Sequence, residues 1–438
     1  MAPTDDEPHD RTRGGRDNRM ITPVATWSRG WIAVAALAAC GGSSAPPSST
    51  ACPGEAADVW VSDPQLCVTE FASGLGGARQ MAFAANGDLF VNNGSVTVLF
   101  DGDHSGASSE TERATFATAP GLNHGIAFAP DGSFVYASSP TTVYRWRYTT
   151  GARVASGEAE IVVAGIPGGG HVTRTLVFDS RGRLYVSVGS AGNVDVGAEL
   201  AQTRAQIRRF TIPDAVPGGG LDYATGEVVA SGMRNEVGLY MDATDRIWSV
   251  ENGRDLLTKD GDVHNTNPAE EVNLIDGNGA TYFGYPSCFS EFDLPAGKGA
   301  GAQWADPTLA PADVKSDAWC RDPANVHPPA FALPAHWAPL GIVGYQGTQL
   351  PFDHDLIVTA HGSWNSEPAV GRVLARLHRD GDKITRFEPI IGERGPSNTL
   401  RQGGWNARPV DVREGPDGAL YFSDDMGGRV FVVRAATP

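Results

Sequence analysis

Short apolar runs recur along the chain in pairs, and each pair is joined by a tight turn rich in Gly, Asp or Asn. In the third pair Leu184, Val186 and Val188 alternate with polar neighbours, which is the period of a half-buried β-strand. The pattern occurs six times, at residues 81–93, 126–139, 176–190, 238–253, 341–363 and 410–425. Recurring strand pairs at a spacing of about 40–60 residues predict a β-propeller, in which each pair belongs to one blade.

The sequence therefore predicts an all-β fold, a six-bladed β-propeller with four-stranded antiparallel blades, over residues 59–438. Pro213–Gly226 and a stretch around residues 286–334 interrupt the spacing and are predicted insertions. Leu66–Phe71 precedes the first pair, and we expect it to complete the last blade and close the ring. A β-sandwich or several small β domains is the alternative, but neither requires a recurring pair.

The N-terminus is predicted to be a lipoprotein signal peptide over residues 1–39. Trp31–Ala39 is apolar but too short to span a bilayer as a stable helix. Leu37–Cys40 matches a bacterial lipobox, and the Gly-, Ser- and Pro-rich sequence after it predicts a flexible tether over residues 40–58. We expect an exported, periplasmic or cell-surface lipoprotein that reaches the membrane only through a lipid on Cys40.

Five cysteines are present, and assigning Cys40 to the lipid leaves an even number in a chain that we expect to be exported. Disulfides are therefore expected. Three connectivities are possible, of which proximity in sequence favours Cys52–Cys67 and Cys288–Cys320. No C-x-x-C-H sequence occurs, so covalent c-type haem is not predicted.

The formal net charge of −17 narrows the range of expected partners. It argues against nucleic acid or an anionic membrane surface as the main partner. Cations and neutral sugars are compatible with this charge, whereas an anionic ligand needs a locally basic pocket.

The loops around the third strand pair carry the first candidates for chemistry. His171 follows three glycines just before this pair, and residues 189–193 form a second Gly-containing loop after it. A further stretch, Gly232–Tyr240, meets a strand in the same way and presents Arg234 and Asn235. Loops on a rigid sheet are where binding and catalytic residues are usually placed.

Several segments appear in a fixed order along the six pairs: GGHVTRTL, GMRN with ENGRD after it, EEVNLI and YFGYP, PAHWAPLG, AHGSWN, and ARPVDVREGPDG. In this order they resemble the soluble pyrroloquinoline-quinone (PQQ) sugar dehydrogenases, and most closely their sorbosone-dehydrogenase-like branch. The resemblance covers residues 71–433. It implies oxidation of a sugar or related aldehyde by hydride transfer to PQQ, with electrons leaving to an external electron acceptor.

The resemblance also assigns roles to individual residues. His171 would be the general base, because imidazole titrates near working pH. Arg234 and Arg408 would bind the anionic cofactor, and Arg234 would also serve catalysis by stabilising the charge that develops on the reduced quinone. Asn235 would donate to a quinone oxygen, and His336 would lie in a loop over the cofactor.

His361 opens the AHGSWN loop, which the resemblance also places over the cofactor. Ca²⁺ would bridge protein and cofactor through the backbone carbonyls of Gly253 and Arg254, since oxygen ligands suit a hard cation. Glu270 and Glu271 would serve a second, structural calcium, with an exposed acidic pair as the alternative.

Three further side chains have two interpretations each. Trp337 and Trp364 either stack on a quinone or sugar or pack between blades. His124 either lines the central pocket or only repeats the blade pattern.

The chain departs from the glucose-oxidising relatives at three places. Ser190 stands in the loop where those enzymes carry an acid that orients the catalytic histidine, Val410 replaces a second arginine, and residues 361–365 lack a lysine. With no acid beside it, His171 is expected to keep a pKa close to the usual value of about 6.5. The cofactor site is expected to be less basic than in those relatives.

Two other functions remain open at this point. A calcium-dependent lactonase on a six-bladed propeller would need carboxylates such as Asp195, Glu251 and Asp424 to converge on a central metal. A lipid-anchored propeller that binds a ligand without catalysis is the second, because a fold does not prove an activity.

Overall fold

The computed structural model describes residue 52 and residues 54–197, 203–311 and 313–437. The predicted signal peptide and the lipid site at Cys40 lie outside the described residues. Regular structure is almost entirely β-strand, and no helix in the described part is long and apolar enough to cross a membrane. The described residues contain one α-helical turn, Asp317–Cys320, and three 3₁₀ turns, Glu110–Glu112, Tyr223–Thr225 and Pro396–Asn398.

Six antiparallel blades are present, and the first two strands of each are one of the six predicted pairs. The strands of blade 1 are Met81–Phe83, Leu89–Asn92, Val96–Leu99 and Arg113–Ala117. The strands of blade 2 are Ile126–Phe128, Phe134–Ser138, Val143–Arg147 and Glu160–Ala164. The strands of blade 3 are Leu176–Phe178, Arg183–Val188, Gln206–Thr211 and Glu227–Ser231.

The second half of the ring follows the same plan. The strands of blade 4 are Glu236–Met241, Ile247–Glu251, Glu270–Ile275 and Phe331–Leu333. The strands of blade 5 are Pro339–Gly344, Leu356–Ala360, Val373–Asp380 and Lys383–Arg394. The strands of blade 6 are Pro409–Glu414, Leu420–Asp424, Arg429–Ala435 and Leu66–Ala72. Two-residue strands extend blades 2, 3 and 5, at Leu221–Asp222, at Thr281–Tyr282, and at Trp60–Val61 and Leu400–Arg401.

The predicted closing strand is confirmed. Leu66–Ala72 pairs antiparallel with Arg429–Ala435, and Val68 stands opposite Val433. The first strands of the blades contact one another in sequence order, and the first strand of blade 6 contacts that of blade 1. The six first strands therefore form the inner wall of a closed ring.

Six apolar clusters lie between neighbouring blades. Between blades 5 and 6, for example, Ile357 and Leu374 pack with Phe422, whose ring stacks on Phe431 at a centroid distance of 4.9 Å. Apolar and polar residues alternate along each strand, and every second side chain points to the same face of the blade. The apolar side chains on that face form these clusters. The hydrophobic pattern that predicted the blades is thus the pattern that joins them.

The insertion predicted around residues 286–334 ends earlier than expected. It contains a two-stranded ribbon, Cys288–Ser290 with Gln303–Ala305, and the helix Asp317–Cys320. Phe331–Leu333, which the prediction included, pairs with the third strand of blade 4 and is the outer strand of that blade. Three residues are too few for an alternating pattern to be recognised in the sequence.

Both predicted disulfides are confirmed. The Cα atoms are 5.4 Å apart in Cys52–Cys67 and 5.8 Å apart in Cys288–Cys320. The first ties the segment before the propeller to the closing strand of blade 6. The second joins the ribbon of the insertion to its helix, where both cysteines belong to one apolar cluster with Val326.

Candidate active site

A pocket of about 350 Å³ opens at the edge where first strands begin and second strands end. These ends share an edge because the two strands of each pair run antiparallel. Seven of the eight predicted site residues line this pocket, namely His171, Arg234, Asn235, Gly253, His336, His361 and Arg408. A larger surface cleft of about 850 Å³ shares no residue with it and contains none of the predicted site residues.

The side chain of His171 is fixed by the loop after the second strand of blade 3. Its Nδ1 atom lies 3.0 Å from the carbonyl oxygen of Ser190 and 3.1 Å from the hydroxyl oxygen of the same residue. That hydroxyl donates to the carbonyl of Gly192 at 2.7 Å. A carbonyl oxygen can only accept, so Nδ1 carries the proton and Nε2 keeps its lone pair. Ser190 thus sets the tautomer without a carboxylate.

The expectation of an ordinary pKa for His171 is wrong. Burial is the main reason that the pKa of His171 falls to about 4, and the nearby Arg234 guanidinium lowers it further. The hydrogen bond to Ser190 and the charge of Asp255 act in the opposite direction without offsetting burial. His171 is therefore neutral at pH 7 and able to accept a proton.

Arg234 is held through all three guanidinium nitrogens. Nε donates to the carbonyl of Asn193 at 3.1 Å, Nη1 to the carbonyl of Gly253 at 2.8 Å, and Nη2 to Asp255 Oδ2 at 2.9 Å. The backbone N–H of Arg234 donates to the carboxylate of Glu251. This guanidinium is therefore presented to the pocket in one orientation.

Asp255 is a site residue that sequence reasoning missed. Its Oδ1 atom accepts from Asn365 Nδ2 at 3.1 Å, its Oδ2 atom accepts from Arg234, and its backbone N–H donates to Asn193 Oδ1 at 2.7 Å. Through its carboxylate and its backbone N–H, Asp255 thus links loops of blades 3, 4 and 5. Its place in ENGRD, two residues after Gly253, is the one signal in the sequence that points to it.

Gly189 is a second missed residue. A Cβ atom on Gly189 would lie 2.7 Å from the Cβ atom of His171 and 2.6 Å from the Oδ1 atom of Asn235. The two loops come this close only because position 189 has no side chain.

Arg408 differs from Arg234 because it has no acidic partner. Its Nε and Nη2 atoms donate to the carbonyls of His361 at 2.9 Å and Gly362 at 2.6 Å. It forms no ion pair within the described residues, and burial, followed by the positive charge of Arg372, lowers its pKa. An unpaired guanidinium in the pocket of an acidic protein is suited to an anionic ligand.

His361 enters the pocket at the end of a chain of charged groups. Its Nε2 atom lies 2.9 Å from Asp425 Oδ1, and Asp425 also pairs with Arg79. Burial alone would raise the pKa of Asp425, but the hydrogen bond from His361 and the charge of Arg79 outweigh burial and lower this pKa to about 2.

His124 lies beside this group but not in the pocket. Arg79 donates to His124 Nδ1 at 3.2 Å, while His124 Nε2 contacts Thr175. His124 is buried outside the pocket, so it repeats the blade pattern.

The remaining ring side chains divide between pocket and core. His336 lines the pocket, and its Nε2 atom contacts the carbonyl of His264. Trp337 is 3% exposed and packs edge-on against Phe387 at a centroid distance of 5.3 Å, so it belongs to the core. Trp364 is 75% exposed at the rim of the pocket, where its ring can contact a ligand.

Of the two predicted calcium ligands, Gly253 lines the pocket and Arg254 does not. The Arg254 side chain turns away and pairs with Asp306 at 2.6 Å. Two buried amide oxygens, Asn235 Oδ1 and Asn365 Oδ1, have no hydrogen-bond partner among the described residues, and both residues line the pocket. Neutral oxygen atoms of this kind are ligands that Ca²⁺ accepts.

Glu270 and Glu271 are not an exposed acidic pair, because both are buried. Adjacent residues of a strand face opposite sides of the sheet. Glu270 accepts the N–H groups of Gly253 at 2.7 Å and Ala338 at 3.1 Å, and burial raises its pKa to about 8. Glu271 instead accepts from the hydroxyl of Ser290 at 2.5 Å on the other face. The predicted pairing of these two carboxylates around one calcium is therefore not observed.

The three acids needed by the lactonase alternative do not converge. Asp195 Oδ2 accepts the N–H of Ala191 at 2.6 Å, and Asp424 pairs with Arg429 at 2.7 Å. Glu251 is buried within blade 4. None of these three carboxylates is among the residues that line the pocket.

A family model described as TrAA12-like matches residues 61–436, which is nearly the whole propeller. The chain belongs to the TrAA12-like family. This TrAA12-like chain is 32% identical over 383 residues to the pyrroloquinoline quinone-dependent sugar dehydrogenase of Hypocrea jecorina (strain QM6a), covering 83% of this chain and 86% of that protein. It is 31% identical to the pyrroloquinoline quinone-dependent pyranose dehydrogenase of Coprinopsis cinerea, covering 72% of this chain but only 46% of that longer protein.

Solved structures agree with this assignment. The holo form of the pyranose dehydrogenase PQQ domain from Coprinopsis cinerea has a TM-score of 0.75 and 28% identity, covering 87% of the TrAA12-like chain and 99% of that one. A calcium structure of the Trichoderma reesei Carbohydrate-Active Enzymes family AA12 protein has a TM-score of 0.76 and 28% identity, covering 86% and 97%. The resemblance to PQQ sugar dehydrogenases is confirmed, while the sorbosone-dehydrogenase-like branch stays a prediction.

Proposed function

We propose that this protein is a PQQ-dependent dehydrogenase that oxidises a sugar or related aldose, uses Ca²⁺, and passes electrons to a separate acceptor. The observation that carries the proposal is that a neutral imidazole, His171, and an unpaired guanidinium, Arg408, share one pocket. The imidazole can accept a proton, and the guanidinium can bind an anion. The enzymes named above, to which the chain is 31–32% identical, support the same chemistry.

The residues of the pocket fit an anionic quinone and a hard cation. Arg408 is available for the carboxylates of PQQ, because no acidic side chain occupies it. The unpartnered oxygens of Asn235 and Asn365, with the predicted carbonyl of Gly253, are the oxygen donors of this pocket that would hold Ca²⁺. When bound, PQQ supplies a carbon that accepts hydride, and Ca²⁺ polarises its carbonyl.

His171 supplies the base for the same oxidation. Its Nε2 atom takes the proton of the reacting hydroxyl, while the adjacent carbon of the sugar loses hydride. Because Ser190 already fixes the tautomer, no rearrangement of the ring is needed before the proton moves. Asp255 holds the Arg234 guanidinium in place, so that its positive charge would stabilise the negative charge that develops on the quinone.

The pocket volume and its rim restrict how a sugar approaches. A volume of about 350 Å³ lies near the lower limit for small-molecule pockets, so a bound cofactor leaves the substrate at the entrance. Trp364 is exposed there and offers a flat apolar face against which a pyranose ring can stack. A neutral sugar also agrees with the net charge of −17.

Reconstitution of the purified protein tests the function. An aldose panel with an artificial electron acceptor should give turnover only when PQQ and Ca²⁺ are both added. Hydrolysis of a lactone with Ca²⁺ alone would support the lactonase alternative instead. Saturable PQQ binding without turnover of any aldose would support a binding module and would contradict the proposal.

We also propose that the protein is exported and anchored through lipidated Cys40. The lipobox, the flexible tether and the two disulfides support this location. Cys40→Ser should move the protein from the membrane fraction to the soluble fraction, and unchanged partitioning would reject the anchor.

A further inference from the structure

His171 lies in a glycine-rich loop between two blades. Residues 165–175, all of which the structure describes, join the outer strand of blade 2 to the first strand of blade 3 without helix or strand, and we call them the base loop. Gly169 and Gly170 directly precede His171 with positive φ angles of 78° and 60°. Glycine adopts many backbone conformations, so contacts from the rest of the protein must hold His171 in one position.

Arg174 is completely buried and binds the carbonyl groups of the base loop. Its Nη1 atom donates to the carbonyls of His171 and Thr173, both at 2.6 Å, and its Nη2 atom donates to that of Pro167 at 2.7 Å. Its Nε atom donates at 3.0 Å to the carbonyl of Pro140, which lies between the second and third strands of blade 2. One guanidinium therefore binds the loop at several points and ties it to the neighbouring blade.

Arg204 binds the same loop from blade 3. It precedes the third strand of that blade and is 5% exposed. Its Nη1 atom donates to the carbonyl of Gly169 at 3.2 Å, and its Nη2 atom donates to the carbonyl of Gly168. The glycines have no side chains with which to hold the loop, so these arginine contacts take that place.

Neither arginine has an acidic partner among the residues that the structure describes. Burial lowers the pKa of Arg174 to about 10, so its guanidinium is still charged at pH 7. A buried charge is unfavourable unless hydrogen bonds replace its hydration, and here backbone carbonyls do so. An apolar side chain would fill the same space without this cost. Arginine therefore contributes its planar set of donors, which binds several carbonyls in one fixed geometry.

The contacts of Arg174 bear directly on the backbone of His171. The N–H group of His171 donates to the carbonyl of Ser190 at 3.0 Å, and its carbonyl accepts from Arg174. Its ring Nδ1 atom also contacts Ser190, so the direction of Nε2 depends on where this backbone is held. Arg174 is not among the residues that line the pocket, so it can act on the substrate only through His171.

We propose that Arg174 is a positioning residue that, together with Arg204, holds the base loop so that Nε2 of His171 faces the substrate. This inference rests on the proposed function, because it assumes that His171 is the base. A displacement of about 1 Å at a reacting group can cost about 100-fold in rate, so a loosened loop lowers kcat.

Arg208 provides a matched control in blade 3. It is also buried, and its Nη1 atom donates to the carbonyls of Ala224 and Gly226 at 2.8 Å and 2.7 Å. Both carbonyls lie outside the base loop. Arg208→Met therefore removes a buried arginine from the same blade without releasing His171.

Steady-state kinetics of Arg174→Lys separates position from charge, because lysine keeps the positive charge and loses the planar set of donors. We expect kcat to fall on the order of 10- to 100-fold, with little change in the KM for the sugar or the Kd for PQQ. Arg208→Met should keep a kcat close to that of wild type. Wild-type kcat in Arg174→Lys, or an equal loss in Arg208→Met, would overturn the proposal.

The pH profile of the same variants shows whether charge has been kept. The charges of Arg234, Asp255 and Arg174 all act on the pKa of His171. The midpoint of kcat/KM should stay at the wild-type pH in Arg174→Lys and move to higher pH in Arg174→Met, because only the second variant loses a positive charge. A low kcat in Arg174→Lys that is explained entirely by a shifted midpoint would overturn the proposal.

Amide hydrogen exchange at His171, measured without PQQ, tests the base loop independently of turnover. Arg204→Met loses only the contacts to the two glycines and carries the test if Arg174→Lys fails to fold. Exchange should be faster on the order of 10-fold in both variants, and unchanged in Arg208→Met. Unchanged exchange in Arg204→Met would overturn the proposal. Wild-type protein that oxidises no aldose would reject the proposed function and leave this exchange result valid.

Discussion

The Nδ1 atom of His171 lies 3.0 Å from the carbonyl oxygen of Ser190. This contact gives the imidazole the tautomer that a base needs, with Nε2 unprotonated. An acid in the position of Ser190 would orient the ring in the same way but would also raise its pKa. The carbonyl of Ser190 orients the ring without adding a full negative charge, and the rise in pKa that its hydrogen bond causes does not offset the burial of His171.

The pH dependence of turnover should reflect this low pKa. His171 must be neutral to act, so kcat/KM should rise with pH and reach its plateau once the ring has lost its proton. Its pKa of about 4 places the midpoint of this limb below the usual imidazole value of about 6.5. In Arg234→Gln the midpoint should move to higher pH, because a nearby positive charge is removed. A wild-type midpoint at or above the usual value would contradict this assignment.

Arg408 should account for much of the affinity for PQQ. Arg408→Ala should raise the Kd for PQQ roughly 10- to 150-fold, the range expected when a charge-assisted contact of about 1.5–3 kcal/mol is lost. Titration of PQQ against the apoprotein measures the change. Arg386→Ala is the control, because Arg386 pairs with Glu388 on the surface. An unchanged Kd in Arg408→Ala would place the cofactor elsewhere.

Gly189 should be sensitive to the smallest substitution. Gly189→Ala introduces a Cβ atom against His171 and Asn235, and a displacement of about 1 Å at a reacting group can cost about 100-fold in rate. We expect kcat to fall at least about 10-fold while the protein stays folded. Gly192→Ala is the control, since its Cβ atom would meet nothing within 4 Å. Equal losses in both variants would mean that the loop, and not the contact, is responsible.

Trp364 should affect the sugar and not the cofactor. Trp364→Ala should raise the KM for the sugar, with little change in the Kd for PQQ, because the ring lies at the rim. Trp364→Phe should recover part of the loss, since it keeps a flat apolar face. Steady-state kinetics with an aldose and a separate PQQ titration distinguish the two effects. A raised Kd for PQQ with an unchanged KM would place Trp364 over the quinone.

The blades could be predicted because their signal is local. Each inner strand pair places alternating apolar residues on both sides of a turn, as in Leu176–Phe178 and Arg183–Val188. The disulfides followed from an even number of nearby cysteines. His171, Arg234 and Asn235 were found because they lie in loops that meet strands, whereas the other pocket residues were assigned through the family resemblance. Antiparallel pairing brings these strand ends to one edge.

Other features depend on the register of paired strands and on the burial of side chains, which the sequence alone does not show. Glu236, Glu251 and Glu271 are far apart in the chain, and only the pairing of three strands places them together. The contact of Asp255 with Arg234 also depends on how two loops fold. The pKa of His171 was wrongly predicted because its burial and its distance from Arg234 are properties of the folded pocket.

The central claim is that His171 is the base, and turnover of His171→Ala in a PQQ-saturated assay with Ca²⁺ tests it most directly. The variant should fold and bind PQQ, yet lose on the order of 10²–10⁴ in kcat, the usual contribution of a positioned base. A PQQ titration of the same sample shows that the cofactor is retained. Wild-type turnover by His171→Ala with PQQ bound would contradict the account.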